Sequence, residues 1–166
     1  MPQCLLCPAR GEDVEMELRR ADRGEATDLA DLWWRSRLAS VPAIPPPVHT
    51  AGEVRRFFAD VVLPTRQVWV ATDTDKIIGL MVLADDWIDQ LYLEPGRTGE
   101  GVGGMLVRLA QGLRPEGLQL WTFQANIRAR RFYERHGFVA VETTDGDNEE
   151  GAPDVRYVWP HSHQPS

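Results

Sequence analysis

No apolar stretch of this 166-residue chain is long enough to cross a membrane as a helix. The longest, Ile77 to Ala84, falls far short of the ~20 residues that a spanning helix needs. No basic leader followed by an apolar segment opens the chain, so the sequence predicts a cytoplasmic protein. Basic charge is scarce too: 18 Lys and Arg against 25 Asp and Glu leave a formal charge of −7. That balance lacks the footprint of a nucleic-acid binder and favours a cationic partner instead. Cysteine is limited to Cys4 and Cys7, a C-x-x-C with no second pair. His161 and His163 could complete a zinc set only on paper, because the pair sits outside any ribbon or βαβ context. No metal is therefore expected. The pattern of ordered elements begins near Met16, which makes residues 1–15 an N-terminal extension and 161–166 a short tail.

What is present is an ordinary globular composition, 43% hydrophobic and 26% charged, at a length that buries one core. A single α/β domain over residues 16–160 is expected. Glu15 to Arg20 reads as a strand. Asp22 to Ser40 reads as a helix with Ala26, Leu29, Ala30, Trp33 and Leu38 along one stripe. The proline-rich run Val41 to Pro47 is an extended connector. Thr50 caps a second helix that Pro64 should end, with Val54, Phe57, Phe58 and Val61 on its buried face. Three strands follow as a hairpin-linked meander, Gln67 to Thr72, Lys76 to Leu83 and Trp87 to Leu93. A helix from about Gly101 to Leu113, a strand Leu118 to Phe123, a helix Ile127 to His136 and strands Phe138 to Thr143 and Val155 to Trp159 complete the order βααβββαβαββ.

The most telling segment is Leu91 to Leu106. It reads as a strand, a turn, a glycine-rich loop and a helix start, with Gly99, Gly101, Gly103 and Gly104 leaving the backbone bare. Such a backbone lets several N–H groups converge on an anion at the positive end of a helix. Gly99-x-Gly101-x-x-Gly104 formally matches the dinucleotide fingerprint. That fingerprint needs a carboxylate about 20 residues on, to hold a ribose; Phe123-Gln124-Ala125 stands there instead. No Gly-Lys-Ser/Thr follows, which excludes a Walker loop. A purely structural loop remains open, although four glycines at a helix start cost entropy with no evident packing gain.

Taken with the second half, the pattern resembles the GNAT superfamily of acetyl-CoA-dependent N-acetyltransferases, over nearly the whole chain from Met16. The family's loop reads Arg/Gln-x-x-Gly-x-Gly/Ala after a strand of the Leu-Tyr-Val-x-Pro type. The corresponding residues here are Leu91-Tyr92-Leu93-Glu94-Pro95 and Thr98-Gly99-Glu100-Gly101-Val102-Gly103. Thr98 departs from the family's Arg or Gln; Arg97 beside it can supply the charge, or the Thr98 hydroxyl can bond a phosphate oxygen. A second family motif, Asn-x-x-Ala-x-x-Phe-Tyr-x-x-x-Gly-Phe, is matched by Asn126 to Phe138 at the expected distance. The resemblance implies a mixed central sheet with an antiparallel N-terminal meander and about four flanking helices. It implies acetyl-CoA as acyl donor and an amine acceptor, and it leaves a homodimer open.

Acetyl transfer from a thioester to an amine requires a base for the amine, a donor for the carbonyl oxygen and an acid for the departing thiolate. By resemblance, the pantetheine arm lies along the strand edge at Leu91 and Leu93, and the N–H groups of the four loop glycines hold the pyrophosphate. Tyr133 is the candidate acid, two helical turns after Asn126 and on roughly the same face; a core tyrosine beside Phe132 is the plainer reading. Asn126 is an expected N-cap that in the family also touches the cofactor arm. Arg128 is the candidate for the 3′-phosphate, although a solvated polar face explains the arginines of that helix equally well. The family's strand glutamate falls at Trp87 and is absent. Asp89 is the substitute base, placed by period-two alternation on the face of Trp87 and Leu91; Asp85, Asp86 and the acidic loop Asp145 to Asp154 remain alternatives. A non-catalytic acyl-CoA-binding module on the same fold is the rival reading.

Overall fold

The computed structural model describes residues 16–160, which form one seven-stranded sheet in the order β1-β2-β3-β4-β5-β7-β6. Cys4, Cys7, His161 and His163 lie outside the described residues. The first strand, β1 (Met16–Arg20), pairs antiparallel with β2 (Gln67–Asp73). Strand β2 pairs with β3 (Lys76–Ala84), and β3 with β4 (Trp87–Leu93), as the expected meander. Beyond β4 lie β5 (Leu118–Phe123), β7 (Asp154–Trp159) and β6 (Val139–Thr144). The β4–β5 pair is parallel, and a single register pair, Trp87↔Gln119, joins the two strands before they part. The mixed α/β architecture with its antiparallel start agrees with the sequence reading.

Two hydrophobic layers cover the sheet. On one face pack α1 (Ala26–Ala39) and α2 (Ala51–Phe57), burying Leu29, Leu32, Val54 and Phe58 against Val70, Leu80 and Val82. On the other face pack α4 (Val102–Leu113) and α5 (Ile127–Arg135), burying Val102, Leu106, Val107 and Tyr133 against Met81, Leu83, Leu120 and Tyr157. Strand β3 is an interior strand and contributes to both layers, which explains its nearly continuous apolar run.

The second helical segment departs from expectation. Thr50 caps it through a reciprocal pair of bonds with Glu53, yet Pro64 does not stop it. The helical path continues through a π-turn, Phe58–Val62, and a last turn, α3 (Leu63–Thr65), with Pro64 inside that turn. The wider π-turn rotates the chain less per residue and so sets back the phase of the buried face. Val54, Phe58 and Val62 are buried, whereas Phe57 and Val61 point outward, 39% and 38% exposed.

A second irregularity lies in β4. Gln90 pairs with Val82 and Ile88 with Leu83, so Asp89 is an unpaired bulge residue. An extra residue reverses the alternation on one side of it. Ile88, Leu91 and Leu93 therefore face the α4 layer, while Asp89, Gln90 and Tyr92 open onto the α1/α2 side. The expected placement of Asp89 on the face of Leu91 is thus corrected.

Candidate active site

Helix α4 begins where the glycine loop ends. Gly99 and Gly101 hold φ near +90° and +84°, a region that costs a non-glycine residue roughly 1–2 kcal/mol. The space around both is open, with nothing within 4 Å of a Cβ added to either. Gly101 is the N-cap and offers no side chain to the first turn. The opening amides of α4 are therefore left for an outside acceptor, at the positive end of the helix dipole.

Gly103 and Gly104 also have a packing role. Both are helical and buried. A Cβ on Gly103 would sit 3.2 Å from the Phe132 ring, and one on Gly104 would sit 3.1 Å from Arg108 and 3.2 Å from His136. These two glycines let α5 approach α4 closely, a packing gain that the sequence alone did not disclose. Arg97 is also engaged: it pairs with Asp73 at 2.7 Å and with Glu100 at 3.2 Å. Thr98 is exposed at the loop tip.

Past Trp87↔Gln119 the β4 edge carrying Leu91 and Leu93 has no strand partner on the β5 side among the described residues. Asn126 caps α5 by accepting from the Ala129 amide at 3.2 Å. Arg128 is exposed one residue into that helix. Tyr133 is 8% exposed and sits among Phe132, Phe138 and Tyr157, with ring centroids 5.1, 5.6 and 6.4 Å away. Burial, with a smaller contribution from Tyr92, pushes its phenol well above the ordinary tyrosine range. Tyr133 therefore holds its proton throughout the neutral range.

On the α1/α2 side, β4 and β5 form the floor of a cavity of about 830 Å³, a size that holds a small ligand or a side chain. Trp33, Phe57, Phe58 and Phe123 supply aromatic wall. Among the described residues seven carboxylates line the cavity, against one arginine and one histidine. Asp89 is one of them and is ion-paired to Arg66. Asp154 is another, 9% exposed, accepting from the Thr144 hydroxyl and, at 3.0 Å, from Asn148.

Arg37 is the feature whose role sequence reasoning missed. The residue is 4% exposed. The guanidinium lies 5.1 Å from the Trp33 ring centroid and 5.8 Å from that of Phe123. It donates to the Pro45 carbonyl at 3.2 Å, to Glu150 at 3.3 Å and more loosely to the Tyr92 hydroxyl at 3.5 Å. Its Nε is buried with no partner among the described residues. Arg37 thus joins α1, the connector, both central strands and the acidic β6–β7 loop. That loop is braced internally by Asn148, which bonds Ala152 twice, at 2.7 and 3.2 Å. The only sequence signal for Arg37 was its place in the helix expected over Asp22 to Ser40.

A family profile described as an acetyltransferase (GNAT) domain matches residues 64–140. The peptidyl-lysine N-acetyltransferase YjaB of Salmonella typhimurium is 31% identical over 134 residues, which span 80% of this chain and 90% of that protein. The chain belongs to the GNAT acetyltransferases. It is accordingly an acyltransferase that takes acetyl-CoA as donor. The solution structure of apo YjaB from Escherichia coli superposes with a TM-score of 0.71 at 26% identity, covering 89% of this chain and 99% of that one. The structure of Salmonella typhimurium yncA with acetyl-CoA shares the fold, with a TM-score of 0.66 at 15% identity over 91% of this chain and 96% of its own. The uncapped start of α4, the open Gly99–Gly101 loop and the free β4 edge suit the donor's pyrophosphate and amide-bearing arm. Among the described residues no cluster of His, Cys, Asp and Glu suited to a metal occurs.

Proposed function

We propose that this acetyltransferase acts on the primary amine of a small molecule or peptide, by direct attack, in the cavity between α1, α2 and the β6–β7 loop. One observation carries the reading: the two central strands part beyond Trp87↔Gln119. The opening lies between the α4 layer on one face of the sheet and the carboxylate-lined cavity on the other.

Bound acetyl-CoA supplies an acetyl group activated as a thioester. The amides of Gly99, Gly101, Gly103 and Gly104 hold its pyrophosphate, with Arg97 and Thr98 at the loop's rim. Arg97 is largely neutralised by Asp73 and Glu100, so the backbone supplies most of the attraction. Leu91 and Leu93 present the strand edge to the pantetheine arm, and the amide at Leu93 polarises the thioester carbonyl. Asn126 orients the arm from the α5 cap, and Arg128 meets the 3′-phosphate. Asp89 takes the proton from the attacking amine. The C–N bond forms as the C–S bond breaks, and Tyr133 delivers its phenolic proton to the sulfur.

The cavity's negative lining attracts an amine in its protonated, cationic form. The relationship to peptidyl-lysine N-acetyltransferases supports a lysine side chain as one such amine. The test is steady-state turnover of acetyl-CoA with an amine panel that includes lysyl peptides, run on wild type, Tyr133→Phe and Asp89→Asn. Loss of a general acid or base is expected to lower kcat by about 10²–10⁴-fold, with KM for acetyl-CoA nearly unchanged. Tight CoA binding with no turnover on any amine would favour a non-catalytic module. Full turnover by Tyr133→Phe would remove that residue from the chemistry.

A further inference from the structure

A second groove, of about 630 Å³, lies at the end of the sheet where β1 finishes and β2 begins. Four arginines reach it from four separate elements: Arg20 from β1, Arg23 from the 3₁₀ turn after it, Arg66 from the junction of α3 and β2, and Arg114 from the end of α4. Asp85 is the single carboxylate in its lining among the described residues. The groove is therefore strongly cationic in a chain whose net charge is −7.

The four guanidiniums are poorly neutralised. Among the described residues, Arg23 has no hydrogen-bond or ion-pair partner, and Arg20 rests on the Trp69 ring at 5.7 Å without a carboxylate. Arg114 donates to the Asp85 carbonyl at 2.7 Å, to the Leu113 carbonyl at 3.2 Å and to Gln67 at 3.1 Å, all neutral oxygens. The carbonyls at the end of α4 offset part of its charge. Among the described residues Arg66 alone of the four has a carboxylate, Asp89, on its far side. Like charges around one groove repel one another, and planar guanidinium forks match phosphate and carboxylate oxygens.

We propose that this groove binds a small polyanion carrying at least two phosphate or carboxylate groups, at a site separate from the α4 cradle. Arg66 connects it to the acceptor cavity. Its guanidinium lines the groove, pairs with Asp89 and stacks 5.4 Å from the Phe57 ring centroid, and both Asp89 and Phe57 line the other cavity. An anion in the groove and the Asp89 carboxylate compete for the same cation. Occupancy of the groove thereby loosens Asp89 and couples the anion to events at the amine.

The proposal is tested by calorimetric titration of inorganic pyrophosphate, and separately of citrate, into protein already saturated with CoA, so that the α4 cradle is filled. Saturable binding is expected for at least one anion, and preference for pyrophosphate or citrate distinguishes a phosphate from a carboxylate ligand. Arg23→Gln, an exposed change, is expected to weaken binding about tenfold, as loss of a charge-assisted bond does. Arg56→Gln, on the outer face of α2, is expected to leave it unchanged. Asp89→Asn frees Arg66 and is expected to tighten binding about two- to fivefold, the range of a partly exposed ion pair. Absence of saturable binding by both anions, or equal binding by Arg23→Gln, overturns the site. Unchanged or weaker binding by Asp89→Asn overturns the competition for Arg66. Neither readout depends on amine turnover, so the outcome is independent of the acceptor assignment.

Discussion

Replacing Arg37 with methionine tests how the acceptor cavity is held together. The Arg37 side chain is 5% exposed, and its partner Glu150 keeps 17% of its side chain accessible. Breaking a fully buried pair by removing one member costs about 3–5 kcal/mol, because the other charge is left stranded. Glu150 retains some water, so the lower half of that range applies. The contacts with Trp33 and Phe123 add roughly 1–2 kcal/mol for a largely desolvated cation–π contact. Against this, the mutation removes a buried, unpartnered Nε, a defect that itself costs roughly 1–3 kcal/mol. Methionine also refills most of the volume. The balance is a loss of about 2–3 kcal/mol, which lowers Tm by roughly 4–12 °C for a chain of this size.

The double variant Arg37→Met/Glu150→Gln removes the stranded carboxylate and is expected to regain at least half of the loss. Urea denaturation followed by tryptophan fluorescence, with m-values compared, measures all three proteins. Because Arg37 also anchors the acidic loop, the single variant is expected to raise KM for the amine more than KM for acetyl-CoA. If Arg37→Met is as stable as wild type, or the double variant is less stable than the single, the stranded-charge reasoning is wrong.

Two further outcomes follow from the same geometry. Tyr133 is raised by burial, so the stability contributed by its protonated phenol is fully present below about pH 10, the unfolded value. That contribution is lost as pH climbs from there towards the folded value. Denaturant melts between pH 8 and 11 should show wild type losing stability more steeply than Tyr133→Phe above pH 10, and parallel curves would contradict the burial argument. Gly103→Ala places a methyl group 3.2 Å from the Phe132 ring. Overpacking of about 1–3 kcal/mol outweighs the roughly 1 kcal/mol that alanine gains in a helix. A drop of a few degrees in Tm is expected, with recovery in Gly103→Ala/Phe132→Leu; a stabilised single variant would show that α5 is not held against α4 at this point.

Much of this protein was legible in the chain itself, wherever local chemistry decides the outcome. Thr50 with Glu53, and Asn126 with the Ala129 amide, are caps that depend on residues three apart. The meander follows from alternating apolar segments and short polar turns. The glycine loop with Thr98 at its tip, and the Asn126-to-Phe138 segment, pointed to the family before any contact was known. What tertiary structure alone decided are features that depend on neighbours distant in sequence. The bulge at Asp89 is set by the β3 register, and it turns that carboxylate from the Leu91 face to the carboxylate-lined cavity. Gly103 and Gly104 looked like bare backbone because the rings they accommodate lie some thirty residues on. Pro64 sits within a helical turn because a π-turn precedes it. Arg37 and Glu150 stand more than a hundred residues apart. A buried charge can be tolerated only where folding supplies its partners, and no local pattern in the sequence announces where those partners will be.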